Sequence, residues 1–392
     1  MSSTVCGYAG YAPEEDPALN LLLVSSSTEW AHAIKTAVGD IRAGLLTCGP
    51  SEALSRLAGV ASHYTHLLLQ ESEAGGLTGT LAAMATEIVD PGTNVLMLGG
   101  GSDASTQHIR AIAAAEPRAV QEALMAPQRR GRLRQGVDAA DLRTALEARA
   151  IELRYQPIIR VSDRRAVGLE ALARLRHPKL GIVLPDLFVP LVEAEGLGGQ
   201  FTDLVAARMF DDLVSPHLVD TGMRIAVNFP LDVLLSPASI DRLEQRRATR
   251  GVSADRIVIE LTESQPVHDV TRLRRSVEQL RTLGYGVAID DVGPAVQHLG
   301  PLLDLPFTSL KLDKSLVTLA DTAPEVLRYL ADTVREAKRH NLIVVAEGVE
   351  TEAIWTHMEA IGVDHVQGYI AARPLPRSAV SVWLKSWSGN PH

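Results

Sequence analysis

Eight short runs rich in apolar residues recur through the second half of the chain, at residues 154–159, 166–170, 224–229, 256–261, 286–291, 309–314, 342–348 and 365–369. Amphipathic stretches separate most of them. Val270, Leu273, Val277, Leu280 and Leu283 form one apolar stripe at helical spacing, and Leu327, Leu330, Val334 and Ala337 form another. Strands alternating with helices build parallel sheets, and eight such units close into a (β/α)8, TIM-like barrel. Only a few residues around 162–165 join the first two runs, too few for the crossover that parallel neighbours need. One barrel strand is therefore expected to run antiparallel.

A shorter rhythm of the same kind fills residues 19–127. Apolar runs at 19–24, 44–48, 66–69, 94–98 and 123–125 alternate with helical patterns at 29–38, 51–60 and 77–89, which predicts a flavodoxin-like doubly wound sheet. Residues 1–18 read as a flexible tail, with neither the basic flank nor the apolar core of a signal peptide. At 128–137 the pattern breaks: Arg129, Arg130, Arg132 and Arg134 stand without apolar residues to bury them. This stretch reads as a solvated linker, with a basic patch for a membrane or nucleotide as the alternative. A helix over 138–152 leads into the barrel, which takes residues 138–392. The fold class is thus α/β with two domains, as expected of a 392-residue chain too long for one ordinary core.

The net charge of -9 argues against a nucleic-acid partner, which needs a concentrated basic face. Cys6 and Cys48 are the only cysteines, so neither a disulfide framework nor a thiolate metal site is expected, and a reducing cytoplasm fits. No apolar run approaches the roughly 20 residues that cross a bilayer, so no membrane partner is expected.

Within the barrel, apolar strands repeatedly run straight into a carboxylate or amide. Glu170, Asn228, Glu260, the Asp290-Asp291 pair and Glu347 all occupy such ends, which share one rim of a barrel. So many acids repel one another unless a cation neutralises them, and carboxylate and amide oxygens are the hard ligands of magnesium, manganese or calcium. The competing explanation, that each acid merely caps the following helix, suits any one of them better than it suits all five ends. Lys311, alternating between leucines, is expected to point an ammonium into this group.

These residues carry a resemblance. Tyr155-Gln156-Pro157-Ile158, Glu170-Ala171-Leu172-Ala173-Arg174, Val227-Asn228, Glu260-Leu261-Thr262-Glu263, Asp290-Asp291, Lys311-Leu312-Asp313, Glu347-Gly348-Val349-Glu350 and Gln367-Gly368-Tyr369 occur in the order found in EAL-domain cyclic-di-GMP phosphodiesterases. The chain resembles that family from the helix at Asp141 to the region of Pro374. The resemblance implies hydrolysis of cyclic-di-GMP to pGpG with Mg2+ or Mn2+, two ions in all. Glu170, Asn228, Glu260 and Asp290 would hold one metal, and Asp291 and Glu347 would serve the second or its water. Lys311 would orient the attacking water, with Glu347 and Glu263 completing the catalytic group. Gln156, Leu172 and Arg174 would contact the dinucleotide, Gln367 and Glu350 would support the far side, and Pro374 would pack on a guanine.

The family's sixth βα loop, which couples the aspartate pair to Glu263 and to a homodimer interface, is replaced here by Val292-Gly293-Pro294-Ala295-Val296-Gln297-His298-Leu299. Phe229-Pro230 is a lesser departure, near a place where the family has a hydroxyl residue. Two readings follow: an active phosphodiesterase, or a catalytically weak or inactive cyclic-di-GMP-binding effector. The N-terminal half resembles a response-regulator receiver in rhythm but not in chemistry. Gln70, Ser25 with Ser26, Gly99 and Ala126 align where phosphotransfer needs an aspartate, an acidic pair, a hydroxyl and a lysine. A pseudo-receiver that binds a protein partner or mediates dimerisation is expected.

Overall fold

In the computed structural model, residues 19–39, 43–49, 52–53, 64–70, 94–99, 110–125, 137–262, 269–293 and 299–387 are described. The N-terminal strands are β1 (Leu19–Val24), β2 (Ala43–Cys48), β3 (His66–Gln70), β4 (Asn94–Leu98) and β5 (Arg110–Ile112). They form one parallel sheet in the order β2-β1-β3-β4-β5, the flavodoxin-like order. Its apolar runs are continuous because both faces are covered, as parallel sheets require: Leu21 and Leu23 are as fully buried as Leu22 and Val24. On one face Leu21, Leu23, Leu68, Leu96 and Leu98 pack with Trp30 and Ile34 of the helix Thr28–Val38, and with Val120 and Leu124 of the helix Pro117–Met125.

The fifth strand corrects the sequence reading. Residues 123–125 belong to the helix Pro117–Met125, and the strand is the short Arg110–Ile112. Three apolar residues cannot separate strand from helix, whereas Pro117 at the helix start and Val120 and Leu124 four residues apart do. The expected helix at 77–89, most of the one at 51–60, the tail at 1–18 and nearly all of the linker at 128–137 lie outside the described residues.

The second half is a closed eight-strand barrel. Its strands are β6 (Ile151–Arg160), β7 (Ala166–His177), β9 (Arg224–Pro230), β10 (Ile257–Thr262), β11 (Gly286–Val292), β12 (Ser309–Leu312), β13 (Ile343–Ala346) and β14 (His365–Gln367). Short β8 (Gly181–Val183) folds back to pair antiparallel with the end of β7, and β15 (Leu375–Pro376) pairs antiparallel with β6. All eight expected runs are strands. β6 is antiparallel to both β7 and β14 and the remaining neighbours are parallel, so the tight link around 162–165 is a hairpin.

The helix expected over 138–152 ends earlier, at Glu147. Asp138 caps its start by accepting from Asp141 N at 2.8 Å, and Arg149 leaves it with φ 52 before β6 begins at Ile151. On the helix Val270–Thr282, Leu273, Val277 and Leu280 are buried, while Leu283 falls just past the end and is exposed. Outside the barrel, buried Tyr155 of β6 donates its hydroxyl to Asp212 Oδ2 at 2.9 Å, and Arg377 Nη1 donates to Asp212 Oδ1 at 2.6 Å. One carboxylate thereby ties β6 to the helices Gly198–Leu213 and Arg377–Ser386. No helix among the described residues is long and apolar enough to cross a membrane.

Candidate active site

The seven parallel strands end at one rim, and the acidic residues gather there. Glu170 stands on β7, Asn228 on β9, Glu260 on β10, Asp290 and Asp291 on β11, Lys311 on β12 and Glu347 just past β13. Alternation along each strand turns one polar side chain inward between buried apolar neighbours, as Glu260 is between Ile259 and Leu261. Consecutive aspartates on a regular strand would face opposite ways. Here the pairing of β11 with β12 shifts register between Ile289 and Val292, and Asp291 adopts φ 52. Carboxylate oxygens of Asp290, Asp291 and Glu347 then lie within 4.8 Å of one another.

Lys311 is the counter-charge of the group, 1% exposed. Its Nζ lies 3.0 Å from Glu260 Oε1, 3.1 Å from Asp290 Oδ1 and 3.6 Å from Glu170 Oε1, and it also pairs with Glu347. Burial works against its charge, but Asp290, Glu170, Glu260 and Glu347 together hold its pKa well above the usual lysine value. It is a fixed ammonium that can only donate. Burial also raises the Glu170 carboxyl, yet Lys311 and the amide donors of Gln367 and Asn228 outweigh it and hold Glu170 below its ordinary value. Burial dominates elsewhere, with neighbouring acids adding to it. Glu260 is pushed well above the usual range, Asp290 is raised, Asp291 reaches about 6 and Glu347 about 8.

One lysine therefore does not satisfy the group. Asn228 donates its amide to Glu170 Oε1 at 2.9 Å, while Asn228 Oδ1 and Glu260 Oε2 are buried acceptors with no hydrogen-bond donor among the described residues. Buried oxygens without donors are costly, at about 1–3 kcal/mol each. Carboxylates and amide oxygens with unused lone pairs fit a hard divalent cation.

Beside the acids, Gln367 Nε2 donates to Glu170 Oε2 and, at 3.0 Å, to Gln156 Oε1, and Gln156 Nε2 donates to Ala372 O at 3.1 Å. Two glutamines thus brace Glu170 from the antiparallel side of the barrel. Arg174 is buried on β7, its Nη1 donating to Ala173 O at 2.8 Å, and Leu172 and Pro374 are partly buried. Glu350 pairs with Lys314 at 3.3 Å. Glu263 and most of the altered loop, residues 294–298, lie outside the described residues.

Arg373 and Lys314, which lie over the ring of Tyr369, were not singled out from the sequence. Glycine was the available signal. A Cβ at Gly368 would collide with Val349 O, and Gly348 has φ 69, so the two segments following β13 and β14 pack backbone to backbone.

In the N-terminal sheet the hydroxyl of buried Ser25 meets the Gln70 side chain at the ends of β1 and β3, and Gly99 follows β4. With β5 corrected, the residue after it is Ala113 and not Ala126, so no lysine occupies that place under either alignment.

The sequence profile of the EAL domain family matches residues 139–374, more than half of the chain. The chain is 34% identical over 248 residues to the cyclic di-GMP phosphodiesterase NbdA of Pseudomonas aeruginosa, an alignment covering 63% of this chain and 32% of that protein. It is 31% identical over 240 residues to the bifunctional diguanylate cyclase/cyclic di-GMP phosphodiesterase MucR of the same organism, covering 60% and 35%. The aligned part is about a third of the length of these relatives. The solved PaMucR phosphodiesterase in complex with c-di-GMP superposes with a TM-score of 0.56 at 30% identity, covering 60% of this chain and 96% of that one.

Proposed function

This chain belongs to the EAL domain family, and from that membership we propose that its barrel hydrolyses one phosphodiester bond of cyclic-di-GMP to give the linear pGpG. The observation that carries the reading is the buried Lys311 ammonium surrounded by Glu170, Glu260, Asp290 and Glu347, a group too acidic for one lysine and provided with donor-free oxygens at Asn228 and Glu260. The relatives named as cyclic di-GMP phosphodiesterases support the substrate.

Glu170, Asn228, Glu260 and Asp290 would hold one Mg2+ or Mn2+, with Asp291 and Glu347 serving a second. Such ions would supply Lewis-acid polarisation of the scissile phosphoryl oxygen and a water acidic enough to attack near neutral pH. The chain's own residues do the rest. Lys311, fixed as a donor, orients the attacking water through its N–H groups and steadies charge that develops on the phosphoryl oxygens. The Gln156-Gln367-Glu170 chain holds the Glu170 carboxylate in one orientation. Glu347 and Glu263 complete the catalytic group. Gln156, Leu172, Arg174, Gln367, Glu350 and Pro374 form the dinucleotide surface, with Arg174 on a phosphate oxygen.

The reading extends to the whole chain: a tail at 1–18, a receiver-like domain at 19–127, a linker at 128–137 and the barrel at 138–392, acting in the cytoplasm as a homodimer. The receiver-like half, without phosphotransfer chemistry, serves a protein partner. The test incubates purified protein with cyclic-di-GMP and Mg2+ or Mn2+, then separates the nucleotides by chromatography. Release of pGpG that stops on adding a chelator supports the proposal. The altered Val292–Leu299 segment favours a second reading, a cyclic-di-GMP-binding effector, and bound ligand recovered uncut with every metal would establish it.

A further inference from the structure

On the outside of the barrel the helices Gly198–Leu213 and Pro237–Arg250 lie side by side and run in the same direction, joined by ion pairs at a constant offset of 39 residues. Arg242 Nε donates to Asp203 Oδ2 at 3.0 Å. About two turns further along each helix, Arg250 donates to Asp211 Oδ1 through Nη2 at 2.6 Å and Nε at 2.8 Å. Midway between these rungs the same offset sets Arg246 opposite Ala207, so the middle rung has its guanidinium and no carboxylate. A groove of about 360 Å³ opens at that place, lined by the three arginines with Ala207, Gln245 and Phe210.

Among the described residues no carboxylate pairs with Arg246, which is exposed. Three arginines against two aspartates leave one positive charge in the groove, on a chain whose net charge is -9. A guanidinium takes a carboxylate through two parallel donors, and the rungs on either side use that chemistry already. We propose that the groove is a docking surface for an acidic segment of a protein partner, whose Asp or Glu side chain enters beside Ala207 and completes the rung with Arg246. Charge complementarity selects this occupant: Arg242 and Arg250 are engaged by Asp203 and Asp211, and the charge left over calls for one more carboxylate. None of these residues belongs to the acidic rim, so the inference is independent of the phosphodiesterase reading and its test needs no turnover.

The test follows a fluorescently labelled hexaglutamate peptide by anisotropy at low salt, titrated with the full chain and four variants. Arg246→Gln removes the guanidinium, and Ala207→Asp supplies the missing carboxylate from within. Ala207→Asn adds the same bulk without the charge. Arg328→Gln removes one positive charge from an exposed position on another helix, Pro324–Arg339. The expected result is binding about tenfold weaker in Arg246→Gln and Ala207→Asp, the scale of one charge-assisted hydrogen bond, with Ala207→Asn and Arg328→Gln like wild type. A folding defect at position 207 would weaken both substitutions there, so the contrast between Asp and Asn reads charge alone. An equal loss in Arg328→Gln would mark the attraction as nonspecific and overturn the proposal, as would equal losses in the two Ala207 variants or no binding to wild type. Displacement of the peptide by inorganic phosphate, beyond that caused by chloride at equal ionic strength, would assign the groove to a free oxyanion and overturn it too.

Discussion

Lys311 is the residue on which the site turns. Removing it leaves four acids facing one another, three of them buried, so Lys311→Ala should abolish turnover and also destabilise the metal-free protein by roughly 3–5 kcal/mol, the scale for breaking a buried charge pair. Glu170→Ala should abolish turnover as well. Urea titration and product chromatography check the two effects, and full activity in either variant would refute the role. The raised acids predict a pH dependence of known sign. Asp291, at about 6, and Glu347, at about 8, keep protons in the folded chain that the unfolded chain has released near its ordinary value of about 4. Folded protein binds more protons across that window, so metal-free stability should fall as pH rises from about 4 to 8. A bound divalent cation takes the protons' place, so melting curves should show Mg2+ or Mn2+ raising Tm more at pH 8 than at pH 6, and an equal rise at both would contradict the assignment. The acids and Lys311 were legible in the sequence because each ends or interrupts an apolar strand. The cations around Tyr369 were not, since Arg373, just past a turn, looks like any surface arginine until Tyr369 is seen beneath it.

Among the elements, β6 is the odd strand of the barrel, and its outward face hangs on Asp212. Asp212→Ala would leave the buried Tyr155 hydroxyl without its acceptor and the half-exposed Arg377 without its nearest carboxylate, and it should lower stability by roughly 2–3 kcal/mol. Tyr155→Phe removes one hydrogen bond and should lower it by about 1 kcal/mol. Near-equal losses in denaturant titration would contradict this ranking. The antiparallel course of β6 was legible because a few residues cannot carry a parallel crossover. The true β5 was hidden: Arg110–Ile112 is three residues long, and the run at 123–125 offered apolar residues of the same length. Length decided both cases, in opposite directions. The Asp290-Asp291 bulge was likewise hidden, since alternation alone would have turned one of the pair away from the rim.

For the whole molecule, the acidic group lies in the barrel, and the N-terminal sheet carries a different set of strand-end residues. The N-terminal sheet has the flavodoxin-like strand order, yet Gln70, Ser25, Gly99 and Ala113 stand at its strand ends, where a receiver needs an acceptor and a metal site. Incubation with acetyl phosphate should leave it unlabelled, and label mapped to this half by mass spectrometry would contradict the reading. The proposed cutting of cyclic-di-GMP by water at the acidic rim is checked most directly by running the reaction in H2 18O with Mg2+ or Mn2+ and weighing the product. Wild type should give pGpG with one 18O on its terminal phosphate and Glu170→Ala no product; cyclic-di-GMP recovered bound, unlabelled and intact from wild type would overturn the proposal.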